Sequence, residues 1–336
     1  NPLKKVSPLM YEKMPEYIVY LMSQPEYFYF IIKYIFQLDS FPQQCLMLKE
    51  LYTHRFPLLI GSRGLSKCVL SSLVVTTYGI KNIRKLGIKN IPHVQQDIGD
   101  IDFYGEKQYS KVDYGFFNGY TETKKITTRS GRLLEGTLNH PIRVVSNGNI
   151  VWKEFSELKT GDFAVVQRKY EQWEKSSIVD KDIAYMIGAM IGDGCFSKKS
   201  IILGFTNMDK DCLDNVNIGL KKWDNYYLRK INLKSGKDIQ YSVRGKNISG
   251  LNIKNKFIKD FEIEEYNKST FKSTPNIILK AKFESIAAYL SGLFDTDGCC
   301  VTNTPMVELS TKSFDLAEET QMLLLILGIN AIVKTQ

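Results

Sequence analysis

The run Leu290-Ser291-Gly292-Leu293-Phe294-Asp295-Thr296-Asp297-Gly298-Cys299 closes an apolar segment on an acid, a glycine and a cysteine. At an offset of 104 positions, Met186-Ile187-Gly188-Ala189-Met190-Ile191-Gly192-Asp193-Gly194-Cys195 has the same form. Without a gap, that offset also sets Leu203 over Val307, Phe205 over Leu309, Thr206 over Ser310, Asp211 over Asp315 and Leu220 over Leu324. A period this long means two copies of one unit, not a solenoid. Each copy reads helix, strand, strand, helix, and the first continues through a basic hairpin into a helix near residues 247–260. The second copy reaches Gln336 in what should be its third strand, so the unit is expected to need roughly 30 further residues.

Glycine inside a helix costs about 1 kcal/mol against alanine, so Gly188 and Gly292 at matched positions ask for a reason. Close helix crossing is the simplest one, and it would bring Asp193 and Asp297 side by side at one end. Paired carboxylates of this kind bind divalent cations, and metal ions can clamp an in-line phosphodiester displacement. A single Asp-Gly is more simply a helix-ending turn; the duplication favours the functional reading.

Composition narrows the partners. The 336 residues are 43% hydrophobic and 24% charged, ordinary globular values that exclude a disordered, collagen-like or coiled-coil chain as the main architecture. At ~150 residues per domain the length allows about two domains and a remainder. The longest apolar stretch, Tyr27 to Gln37, is broken by Lys33 and falls short of the ~20 residues of a membrane span. No secretory leader opens the chain, and its first residue, Asn1, reads as a trimmed or partial reading frame. Six cysteines without a C-x-x-C pair read as reduced cytosolic thiols. The net charge of +9 is local: residues 198–259 hold 14 Lys and Arg against 5 Asp and Glu, whereas residues 260–336 hold 6 against 11. Within the basic part, Tyr226–Ile231 and Ile239–Arg244 alternate about Lys234-Ser235-Gly236-Lys237. This hairpin would offer Arg229, Lys230, Lys234, Lys237, Gln240 and Arg244 to a DNA major groove. A solvated surface is the plainer alternative.

These residues carry a resemblance. Leu290 to Gly298 resembles the LAGLIDADG signature of homing endonucleases, and Met186 to Gly194 resembles the first copy in double-motif members. The resemblance implies that Asp193 and Asp297 are the metal-binding catalytic acids, with Mg²⁺ as cofactor, and that paired four-stranded sheets form a saddle over double-stranded DNA. Lys272-Ser273-Thr274-Pro275 resembles the Lys-x-x-Pro segment before the second motif of intein-borne members. Lys272 is thereby implicated in catalysis, a surface lysine being the other reading. Gly192 and Ile191 stand where the second copy has Thr296 and Asp295; neither departure touches the acids.

Upstream, Cys68 opens a stretch of short β-like runs with turn dipeptides at Asn118-Gly119, Ser130-Gly131 and Asn147-Gly148. Seventy-two positions on, Gly136-Thr137-Leu138-Asn139-His140-Pro141 holds one of only 3 histidines. A thiol, a hydroxyl and an imidazole are the parts of an acyl-transfer site, although a buried cysteine and a hydrogen-bonded turn histidine would look alike. Cys68 to Ile80 resembles the opening of inteins, Gly136 to Pro141 their Thr-x-x-His motif, and Leu158-Lys159-Thr160-Gly161-Asp162 the turn that follows. This resemblance implies the N-terminal part of a Hint-type splicing domain. Cys68 would attack the Lys67 carbonyl while Thr137 and His140 activate the peptide. It also implies a closing segment with a His-Asn end, which these 336 residues do not contain, so they are expected to form a thioester at most.

Gly61-Ser62-Arg63-Gly64-Leu65-Ser66-Lys67 follows a strand-like run as a Walker A loop would, but Cys68 occupies the Ser/Thr position. An intein leaves behind a Ser, Thr or Cys, so both demands meet at one junction. Gly61, Gly64 and Lys67 would bind phosphate, and ATP with Mg²⁺, only after splicing. Phe41-Pro42-Gln43-Gln44, Arg55 and this loop resemble the large terminase subunits of tailed phages; a helicase-type ATPase is the alternative host.

The expected architecture is therefore multidomain. A mainly helical ATPase fragment (1–67) precedes an all-β Hint-type half-domain (68–176) and an α+β LAGLIDADG endonuclease (177–336) built as a duplicated, truncated αββαββα unit. Expected partners are the intein-less allele of the host gene as double-stranded DNA and the chain's own extein segments, with no membrane, in a monomer in the host-cell cytoplasm, encoded by a phage. The rival readings are a free-standing LAGLIDADG endonuclease or maturase and a non-cleaving DNA-binding regulator.

Overall fold

The computed structural model describes residues 72–91, 94–105, 109–117, 119–168, 179–231, 240–264, 269–302 and 305–334. The helices expected over residues 9–55 and the phosphate loop with Cys68 lie outside these residues, as does the hairpin tip with Lys234 and Lys237. The chain divides into two compact units. One takes residues 1–66 together with Ile88–Asp97 and Tyr114–Tyr120; in its described part, the Gln96 side chain exchanges hydrogen bonds with the Lys89 backbone. The other holds everything else, both copies of the repeat included.

Among the described residues from 73 to 164, every regular element is a strand or a short 3-10 turn. β1 (Leu73–Thr76), β2 (Gly79–Asn82), β3 (Gln95–Tyr104) and β4 (Tyr109–Phe116) form one sheet in the order β2-β1-β3-β4. β5 (Thr123–Thr127) pairs with β6 (Leu133–Thr137), while β7 (Pro141–Ser146), β8 (Asn149–Glu154) and β9 (Phe163–Ala164) form a sheet in the order β8-β7-β9. The β7–β8 turn is Asn147-Gly148 with φ of 50° and 77°, the left-handed pair that matches strand twist in a two-residue hairpin.

Helices and strands then alternate: α1 (Lys181–Asp193), β10 (Gly194–Cys195), β11 (Gly204–Thr206), α2 (Lys210–Asp224), β12 (Tyr227–Lys230), β13 (Gln240–Arg244) and α3 (Gly250–Asp260). After the four-residue α4 (Asn276–Leu279), the order repeats as α5 (Phe283–Asp297), β14 (Gly298–Cys300), β15 (Val307–Leu309) and α6 (Phe314–Ile326). The offset of 104 is thus an offset between matching elements. Caps set the boundaries. The side chains of Asp180, Asp209, Ser249 and Ser313 accept backbone N–H groups at the starts of α1, α2, α3 and α6, and Asn225, at φ 55°, closes α2.

α1 and α5 cross at their glycines. A β-carbon on Gly188 would lie 2.0 Å from the Tyr289 carbonyl oxygen, and one on Gly292 would lie 2.1 Å from that of Tyr185. Around the crossing, Met186, Ile187, Met190, Ile286, Tyr289 and Leu293 are completely buried, each contributing about 1.5–3 kcal/mol of transfer free energy. This core is continuous with the β-rich part: Val75 and Ile80 belong to it with Ile278 and Leu279. Gly79, at φ 92°, lies so close to α4 that a β-carbon would meet the Leu279 oxygen at 2.2 Å. A second junction joins the β5–β6 turn to the far end of the second copy. Val333 N–H and the Gln321 amide both donate to the Ser130 oxygen, at 3.0 and 2.9 Å. Among the described residues no helix is long and apolar enough to cross a membrane.

Candidate active site

Because both helices cross at glycine, their C-termini arrive together. Gly192 packs on Thr296, whose hydroxyl would sit 2.0 Å from an added β-carbon, with the Asp297 carboxyl carbon at 3.4 Å. Asp193 and Asp297, the last residues of α1 and α5, are both half-buried. Burial raises the carboxyl pKa of each above the ordinary value; the charge of Asp297 adds to this at Asp193, and Lys272 opposes it at both. Asn207, just past β11, donates to Asp193 Oδ2 at 2.8 Å.

Two half-buried acids with raised pKa values hold more negative charge than their surroundings compensate, which is the chemistry a divalent cation relieves. Among the described residues there is no cluster of three or more His, Cys, Asp or Glu fit to hold a metal. Two carboxylates at one place are a donor set that suits Mg²⁺, which is bound through one or two carboxylates with water and substrate phosphates completing its shell. When bound, such an ion supplies charge neutralisation at the phosphodiester. Asp193 and Asp297 are the residues that would hold it.

Lys272 lies at the same place, from 80 residues away in sequence. Its Nζ donates to the Ile191 and Gly192 carbonyl oxygens, both at 2.7 Å, where the end of α1 is negative. Burial lowers its pKa, against the pull of Asp297, Asp193 and Cys195. The segment carrying it rests on α6. Ser313 Oγ donates to the Lys272 carbonyl oxygen, and Thr274 N–H donates to Glu319 Oε2 at 2.6 Å.

Glu319 is 8% exposed, and burial pushes its carboxyl up to about 7. Thr274 opposes the shift by hydrogen bonding, Asp315 adds to it and Lys85 opposes it; the Tyr289 hydroxyl also feels this charge. A folded-state pKa raised from 4.5 to about 7 means that the unfolded chain ionises first. This group's cost is absent below pH 4.5 and grows as the pH rises to about 7. The shift bounds it at about 3 kcal/mol. Glu319→Gln is expected to leave stability unchanged at pH 4.5 and to raise it at pH 8 by about 1–3 kcal/mol. Urea denaturation at the two pH values checks this; an equal effect at both would contradict it.

The sheet of the first copy runs β10-β11-β13-β12. Register aligns Arg229, Ser242, Gly204 and Cys195 across it, on the face opposite the core residues Phe205 and Val243. Gln240 and Arg244 share that parity on β13, and Arg244 Nε donates to Ser242 Oγ at 3.1 Å. Lys230 alternates away, paired with Tyr241, whose ring packs toward the helices. Among the expected hairpin residues, Arg229, Gln240 and Arg244 thus share one surface and Lys230 does not.

Some 40 residues upstream of α1, Thr137 ends β6 and His140 N–H donates to its carbonyl at 2.8 Å, closing the turn. Thr137 Oγ1 donates to Asn139 Oδ1 at 2.7 Å. His140 is buried, its ring centroid 4.8 Å from that of Phe155. Gly136 lies beneath the ring, 3.0 Å from its Cγ at the β-carbon position. In the Leu158–Asp162 turn, Asp162 Oδ2 accepts from Lys159 N–H and Lys153 Nζ, both at 2.8 Å.

Thr137 and His140 are held together, as are Asp193, Asp297 and Lys272. Lys67, Cys68, Gly61 and Gly64 lie outside the described residues. Asn207, Ser313 and Glu319 were missed in the sequence. For Asn207 there was a signal, because the repeat sets it over Thr311, polar at the same offset.

With this geometry in view, residues 284–336 match the LAGLIDADG-like domain, the class of DNA-cutting homing endonucleases. The wider chain is 29% identical over 249 residues to the replicative DNA helicase DnaB of Rhodothermus marinus, covering 67% of this chain and 24% of that protein. It is likewise 29% identical over 220 residues to the NrdEB alpha chain of ribonucleoside-diphosphate reductase from Bacillus subtilis, covering 62% and 20%. With a DNA gyrase subunit from Mycolicibacterium flavescens it is 28% identical over 233 residues, covering 65% and 40%. The chain therefore spans well under half the length of these curated relatives.

Proposed function

We propose that the chain is part of an intein-containing precursor: a host fragment to Lys67, a Hint-type splicing region from Cys68 to about residue 176, and a double-motif LAGLIDADG endonuclease from about residue 177. The observation that carries the endonuclease is the reciprocal Gly188–Gly292 crossing, which delivers Asp193 and Asp297 to one half-buried place with a lysine beside them. Support for an inserted element comes from the relatives. A helicase, a reductase and a gyrase share no reaction, so the segment each has in common with this chain serves something other than the host's chemistry.

In cutting, Asp193 and Asp297 would hold the divalent ion, which would supply charge neutralisation at the scissile phosphate, and Lys272 fixes the end of α1 so that the two acids stay in register. Arg229, Gln240 and Arg244 engage the duplex, phosphate contacts setting position and base edges setting sequence. In splicing, the Cys68 sulfur, already deprotonated to the thiolate, attacks the Lys67 carbonyl carbon. The C–S bond forms, the C–N bond breaks, and His140 donates the proton that the departing Cys68 nitrogen takes up. Thr137 polarises the same peptide. The host is a P-loop ATPase of terminase type, with DNA packaging as its task.

The test has two arms. With a thiol, the purified chain should release a fragment ending at Lys67, and Cys68→Ala should abolish release; release from that variant sinks the splicing half. With Mg²⁺, the chain should cut DNA carrying its host gene uninterrupted, and chelation should stop it. Cutting without thiol release would favour a free-standing endonuclease, and retention of DNA without nicking a non-cleaving regulator.

A further inference from the structure

We propose that Glu319 and Ser313 are positioning residues for Lys272, holding from α6 the segment whose amine closes the end of α1 beside the two acids; the proposal rests on the endonuclease reading above. Three contacts form one chain. Ser313 Oγ donates to the Lys272 carbonyl oxygen. Glu319 Oε2 accepts Thr274 N–H at 2.6 Å, and Thr274 is 3% exposed. The Lys272 amine then reaches Ile191 and Gly192, the two residues before Asp193.

Lys272 therefore bridges the copies: its backbone is tied to the second and its amine to the first. The long, flexible side chain supplies reach but no precision, so its placement depends on where the backbone is anchored. At the repeat offset, Ser313 and Glu319 correspond to Asp209 and Asn215, which cap or line α2 in the first copy. The anchoring pair thus belongs to the second copy alone, and one lysine serves both acids.

Acylation of lysine amines by an N-hydroxysuccinimide acetate, read residue by residue by mass spectrometry, tests this on the whole chain. Lys254 is the internal control: it is 3% exposed and donates to the Ser197 and Ser200 oxygens at 2.9 Å, so it reports general unfolding. In the native chain both amines should be protected. Glu319→Ala and Ser313→Ala should each raise Lys272 labelling about tenfold relative to Lys254, the signature of a local rather than global opening. Glu319→Gln, whose amide oxygen still accepts the N–H, should restore protection. The alanine variants should also lower kcat for cutting while leaving the DNA concentration at half-saturation unchanged.

Lys272 labelling that stays at the native level in both alanine variants, or that rises only in step with Lys254, overturns the proposal. A rise confined to one variant removes the other residue from it. If the native chain cuts no DNA with Mg²⁺, the endonuclease reading fails, and the labelling ratio still decides whether α6 places Lys272.

Discussion

Asp297→Asn, and separately Asp193→Asn, should reduce Mg²⁺-dependent cutting by at least about 10³-fold, equivalent to about 4 kcal/mol of barrier. The reason is local. Each acid is half-buried at a helix end with its pKa raised, and each is one of the two carboxylates that would share the ion. Asparagine keeps the shape and one oxygen but removes the charge that would hold the ion. Duplex retention should be largely kept, because Arg229, Gln240 and Arg244 lie on the sheet face rather than at the helix ends. Single-turnover cleavage beside a filter-binding assay separates the two effects. A variant that cuts within tenfold of the native chain would remove that acid from the reaction.

The second large effect is on stability. Helix propensity alone predicts that Gly188→Ala and Gly292→Ala stabilise by about 1 kcal/mol. Packing decides the sign the other way. The new β-carbons would fall 2.0 and 2.1 Å from backbone oxygens of the opposite helix, atoms that no rotamer change can move aside. Overpacked cores lose about 1–3 kcal/mol, and valine at either position should exceed that. Each kcal/mol lowers Tm by about 2–4 °C in a domain of this size. Gly204→Ala is the control, since its β-carbon would meet nothing closer than 3.5 Å. Thermal unfolding of the three alanine variants ranks them; a Gly292→Ala melting with Gly204→Ala would mean that the helices do not cross here.

Much of this was legible in the residues because the repeat is gapless. Once Asp193 was set over Asp297, the order of helices and strands followed, and the interior glycines announced the crossing. The Asn147-Gly148 and Ser130-Gly131 turns were equally plain, since positive φ leaves few residue choices. Strand parity was harder. Lys230 and Arg229 are neighbours in one basic run, and only the pairing of Lys230 with Tyr241 separates their faces. What the chain did not disclose was its long-range polar wiring. Lys272 reads as readily as a surface lysine, and Glu319 as an ordinary helical acid, because their partners lie 80 and 45 positions away in sequence. Buried Lys254 is the same case: nothing in Ile253-Lys254-Asn255 indicates that it holds the loop at Ser197–Ser200.

The close seat of Gly79 on Leu279 has a practical corollary for anyone wishing to miniaturise the molecule. Excising the duplicated nuclease would strip the backing from Val75 and Ile80, which share its interior, and leave a naked greasy seam on the remnant. A trimmed version should precipitate unless those two side chains are exchanged for polar ones or a short amphipathic graft is supplied in place of α4.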